Sequence, residues 1–136
     1  MREQPSFWDY NEKGLYFYKR QAYDLAIAEF ERAVGAATFP LAALDINLGA
    51  AYLGKRMYTE ARARLEKGLA LDPDSQMGHW LLAQTLQATG AAFEARAEFE
   101  EAYMLDPDSP EGRVAEEELL NFWARRAPFP VLAPAP

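Results

Sequence analysis

Few side chains in this chain stand where they could do covalent or metal chemistry. His79 is the single histidine, and no acid or nucleophile lies beside it in the sequence. A histidine so isolated reads as a helix-face residue rather than a general base. Ser6, Ser75 and Ser109 each fall where a helix is expected to begin, so capping accounts for all three. The carboxylates from Glu94 through Glu101, and the run Glu116-Glu117-Glu118, have the spacing of solvated helix faces rather than of metal ligands. There is no cysteine, which removes disulfides and thiolate metal sites. The residues thus point to no catalytic centre, no metal site and no cofactor. The expectation is a protein that is not an enzyme.

The chain of 136 residues fits one modest domain, and half of its residues are apolar. Its net charge of −7 sits in the C-terminal half, because residues 1–75 are nearly balanced. An acidic chain without a basic stripe repels phosphate backbones, so no nucleic-acid partner is expected. No apolar run reaches the length of a membrane-spanning helix or resembles a signal peptide. Membrane insertion is not expected, and a cytoplasmic location is.

The elements that must position any binding residues are announced by a repeat. Asp72-Pro73-Asp74-Ser75 returns as Asp106-Pro107-Asp108-Ser109, 34 residues later. Ala61 and Ala95 keep that interval, as do Gly49 and Ala83, while Gly14, Ala26 and Phe30 precede Gly49, Ala61 and Leu65 by 35. A fixed period of this size marks a stack of supersecondary units. Each proline stops the outgoing helix at the residue before it, and the Asp and Ser that follow offer acceptors to the next helix's free amides. Ser6 followed by Asp9 has the form of a capping box opening a first helix near Phe7. A second helix opens at Tyr23-Asp24 and runs to about Val34-Gly35. Others follow at roughly 41–54, 58–71, 76–88 and 92–105, and a longer one from Pro110 to about Arg126. The four prolines of residues 127–136 favour an extended tail, and its Phe129, Val131 and Leu132 give it the character of a ligand.

This pattern resembles the tetratricopeptide repeat family. Its signature of small and large residues is matched by Gly14, Phe17, Ala26, Phe30 and Ala33, then by Leu48, Gly49, Tyr52, Ala61, Leu65 and Pro73. The third copy supplies Leu82, Ala83, Leu86, Ala95, Phe99, Ala102 and Pro107. The family's tryptophan is absent from all three copies, His79 standing in its place in the third. Ala92 replaces the tyrosine matched by Tyr23 and Tyr58. The resemblance implies an all-α right-handed solenoid of antiparallel helix pairs over residues 7–109, in three units of about 7–40, 41–75 and 76–109. Residues 110–126 would form a capping helix, with Val114, Ala115, Leu119, Phe122 and Trp123 covering the third pair and the triple glutamate facing water.

The resemblance also implies a concave groove, lined by the first helix of each pair, that holds a segment of another protein. The side chains there that the pairs do not consume are Trp8, Asn11, Leu15 and Tyr18, then Ile46, Asn47 and Leu53, then Met77, Trp80 and Gln84. Aromatic and methionine anchors of this kind suit an apolar or helical peptide. Members that clamp a terminal carboxylate do so with lysine, asparagine and arginine. At those places this chain has Asn11, Leu15, Asn47, Met77 and Leu81, so a carboxylate-clamp co-chaperone is not expected. The expected function is a non-catalytic scaffold that binds a protein or peptide. The alternative is a self-assembling structural protein that pairs identical subunits through its groove or tail.

Overall fold

The computed structural model describes residues 4–126, all of whose regular structure is helical. The order is α1 (Phe7–Lys19), α2 (Tyr23–Ala36), α3 (Ala42–Gly54), α4 (Tyr58–Leu71), α5 (Gln76–Ala88), α6 (Ala92–Leu105) and α7 (Pro110–Arg126). The proline-rich tail expected over residues 127–136 lies outside the described residues.

Local chemistry sets the helix starts. Ser6 Oγ accepts from the Asp9 amide at 3.3 Å while the Asp9 carboxylate accepts from the Ser6 amide at 2.7 Å, a complete capping box. Ser75 and Ser109 accept in the same way from the amides of Gly78 and Gly112. The aspartates of the repeated tetrapeptide divide the work differently from the expectation. Asp72 and Asp106 accept from the amides of Asp74 and Asp108, each at 3.2 Å, so the first aspartate folds the turn and the serine caps the helix.

Each pair reverses direction through one left-handed residue: Gln21 (φ +59°), Arg56 (φ +64°) and Gly90 (φ +83°). Their spacing of 35 and then 34 residues reproduces the sequence period in the backbone itself.

Within a pair, one helix supplies a small residue and its partner a large one. A Cβ added to Gly49 would lie 2.7 Å from Leu65 Cγ, and one added to Gly14 would enter the Phe30 ring. In the third pair Ala83 is buried in one cluster with Ala95 and Phe99. The core forms two groups, one around Ala26, Phe30, Leu48 and Ala51 and a larger one from Ile46 to Ala115, with Tyr18 packed against both. Helix α7 lies on α6 and buries Ala115 there. Glu116 and Glu117 face water as expected. Glu118 instead turns inward and accepts from Gln87 Nε2 at 2.7 Å.

Candidate functional site

The odd-numbered helices touch in succession, α1 with α3, α3 with α5 and α5 with α7. The backbones of α2, α4 and α6 do not approach one another in this way among the described residues; α4 and α6 are joined only at the tips of long side chains, where Arg62 pairs with Glu94 at 3.0 Å. The row that touches is the inner side of the curve, so α1, α3, α5 and α7 line its concave face. All ten residues named from the sequence lie on α1, α3 and α5.

Their depths differ. Trp8 on α1 and Met77 on α5 are the most open of the ten, 49% and 43% exposed. Leu15, Tyr18, Asn47, Leu53, Trp80 and Gln84 are half-buried. Tyr18, Leu53 and Trp80 rest on the larger core group, with one side packed and the other open. Burial, followed by the neighbouring Tyr23, raises the Tyr18 phenol above its ordinary pKa, which keeps it neutral and able to donate. The indole N–H of Trp80 is buried without an acceptor among the described residues.

Two of the ten are deeper than their positions suggested. Ile46 is 6% exposed and fills the space that the missing side chain of Gly68 leaves on α4. The core uses it, and it is not a surface contact. Leu81 on α5 is buried in the same group. Asn11 is buried too, with Oδ1 accepting from Asn47 Nδ2 at 2.9 Å across α1 and α3. That bond leaves the Asn11 NH₂ and the Asn47 carbonyl oxygen unpaired among the described residues, one donor and one acceptor beside each other. The pair can serve the N–H and C=O of an extended chain.

His79 is not isolated. Its Nδ1 lies 2.6 Å from Glu98 Oε2, and its Nε2 lies 2.7 Å from the carbonyl oxygen of Pro73. Both partners are acceptors, so the ring donates twice when it is protonated. Burial disfavours the cation, but the bonds to Glu98 and Pro73 and the charges of Glu98 and Glu101 outweigh it and raise the pKa. The expectation of no nearby acid fails because Glu98 is 19 residues away in sequence and faces His79 across the α5–α6 pair. With both nitrogens engaged inside the protein, the ring ties α5, α6 and the turn at Pro73 together. Among the described residues, His, Asp and Glu side chains form no group of three that could hold a metal ion. No helix there is long and apolar enough to cross a membrane.

Comparison with known proteins agrees with the fold. Residues 52–116 match the family model described as tetratricopeptide repeat. Among solved structures, the first such domain of Spaghetti (RPAP3), bound to the HSP90 peptide SRMEEVD, is 21% identical with a TM-score of 0.80. The match covers 89% of this chain and 93% of that one. The translocator chaperone SycD of Yersinia enterocolitica type III secretion, 17% identical, gives 0.81 over 91% of this chain and 96% of its own. PcrH in complex with the chaperone binding region of PopD, 19% identical, gives 0.81 over 93% and 100%. No curated protein sequence matches the chain significantly.

Proposed function

We propose that this chain, whose residues 52–116 match the tetratricopeptide repeat family and whose described length has that family's fold, is a non-catalytic binding module for an apolar segment of a partner protein. The observation that carries the reading is the concave face itself. Trp8 on α1 and Met77 on α5 are exposed, and Tyr18, Leu53 and Trp80 are only partly covered by the core they rest on. Aromatic and methionine anchors backed by a rigid core are the usual sources of binding energy at protein interfaces. The Asn11–Asn47 pair would take the backbone of the ligand, and the anchors would take its side chains.

The structural neighbours support the general mode, since one holds an HSP90 peptide and another the chaperone binding region of PopD. The ligand proposed here differs in chemistry from a clamped carboxylate. Asn47 already donates to Asn11, and the two positions for cationic anchors on α5 hold an exposed methionine, Met77, and a buried leucine, Leu81. A carboxylate placed there would lose its water and gain no charged partner.

Display selection of random peptides on the immobilised protein tests the reading. Enrichment of sequences with aromatic or leucine residues at regular spacing is the expected result. Enrichment of acidic C-terminal motifs would contradict it. Pairing of identical subunits through the same exposed anchors is the second reading, and a molar mass that rises with concentration would favour it.

A further inference from the structure

Residues 76–136 contain ten acidic side chains and only four basic ones, Arg96, Arg113, Arg125 and Arg126. Three of those four meet. Arg96 on α6 and Arg125 and Arg126 in the last turn of α7 line a cavity of about 310 Å³ between the two helices and the end of α5. Glu118 is the one carboxylate in its wall, and Gln87 already holds it. The wall therefore carries a formal charge of +2 in a chain of −7.

The junction departs from the repeat in which helix supplies the ring. At the α2–α3 junction the Tyr23 ring lies against Gly54. At the α6–α7 junction the equivalent of Tyr23 is Ala92, and Phe122 stands where the glycine would be; both line the cavity.

Aromatic rings lie beside two of the three cations. Arg126 Cζ lies 3.8 Å from the centre of the Phe122 ring and 4.9 Å from that of Phe93. Arg96 Cζ lies 5.6 Å from the Trp123 ring centre and 5.9 Å from that of Phe122. A guanidinium stacked by its face keeps its N–H edge free for a carboxylate. Arg96 spends one nitrogen on Glu100 at 2.7 Å, and its Nε is buried without an acceptor among the described residues. Arg125 makes no hydrogen bond or ion pair there, and Arg126 makes only a 3.5 Å bond to the Phe122 carbonyl oxygen. The helix dipole accounts for two cations in the last turn of α7, but not for a third reaching them from α6.

We infer that this cavity is a second binding site, separate from the ten groove residues, for an acidic segment of a partner protein. A Glu or Asp side chain enters between Arg96 and the Arg125–Arg126 pair. An apolar neighbour in the segment rests on Phe93 and Trp123, which are exposed at the rim. Complementary charge selects the ligand, and the aromatic rim favours an apolar residue beside the carboxylate.

The test uses the blocked peptide acetyl-Glu-Glu-Phe-Glu-Leu-Glu-amide and its counterpart with Gln at every Glu position, titrated into the whole chain with NMR detection. The acidic peptide should shift the Trp123 indole resonance and bind about tenfold or more tightly than the Gln peptide, with affinity falling as salt rises. The variant with Arg96, Arg125 and Arg126 all changed to Gln should lose this binding. Arg125→Gln alone removes an exposed side chain without an internal partner, keeps the fold, and should weaken binding severalfold. Trp8→Ala with Met77→Ala should leave it unchanged, so a failure of the groove reading is distinguishable from a failure here. Equal affinity for the two peptides, no binding of either, or shifts confined to Trp8 and Trp80 would overturn the assignment.

Discussion

Asn47 Nδ2 donates to Asn11 Oδ1 at 2.9 Å, joining α3 to α1 across 36 residues of sequence. The bond links the first two helix pairs on the concave side, where Asn11 is buried. Asn47→Ala leaves the buried Asn11 amide without its donor and should cost about 1–2 kcal/mol. Asn11→Ala should cost a similar amount. The two losses should not add in the double variant, because the second removes a group already without its partner. Urea unfolding of the four proteins checks this, and full additivity would mean that the asparagines do not act as a unit.

The three left-handed residues make a second, independent forecast. A Cβ on Gly90 would meet nothing within 4 Å, so crowding cannot disfavour a side chain there. Its φ of +83° can. Gly90→Ala should therefore destabilise the fold by about 1 kcal/mol through backbone strain alone. Arg56→Gly, at the equivalent turn, should shift the thermal midpoint upward or leave it level, never down by the same amount. A thermal scan of each variant decides.

Close approach is the issue at Gly49 instead. With Leu65 Cγ at 2.7 Å from the position of an added Cβ, Gly49→Val should cost about 1–3 kcal/mol as α3 is pushed from α4. Leu65→Ala in the same chain should recover part of that loss, since it vacates the space the valine needs. No recovery would place the strain elsewhere.

The fold was legible because its signals are local and repeated. The proline that ends a helix, the serine that caps the next and the glycine or alanine of close approach all lie within one period, and each copy checks the others. Depth across the concave face was not legible in the same way. Helical spacing gives the direction of a side chain from its own axis but not what the neighbouring axis brings to it. Ile46 points as a groove residue would, yet Gly68 on α4 leaves a hollow that it fills. Asn11 is covered because α3 closes over α1. The His79–Glu98 contact needed the register of two facing helices, which neither helix states by itself. The arginine-lined cavity had a visible trace in Ala92, the residue that breaks the tyrosine pattern, but its depth depends on where α7 comes to rest.

His79 gives the stability a pH dependence of known sign. Its pKa is raised in the folded protein, against burial, by the hydrogen bonds to Glu98 and Pro73 and by the charges of Glu98 and Glu101. The contribution is fully present below the unfolded value near 6.5 and is lost as pH rises through the higher folded value. The thermal midpoint of the wild type should exceed that of His79→Gln most at mildly acidic pH. The gap should close as the solution becomes alkaline. A gap that widens with pH would mean that the ring is bound in its neutral form.

Binding at the concave face rests on Trp8 and Met77, the two anchors that the core does not use. A peptide selected on the wild-type protein should be titrated into wild type and into the Trp8→Ala, Met77→Ala double variant, with thermal midpoints measured beside the affinities. Neither side chain belongs to a core group, so the midpoint should change little. Affinity should fall about tenfold or more with the fold intact, as expected when two interface anchors are truncated. Unchanged affinity in a folded double variant would contradict it.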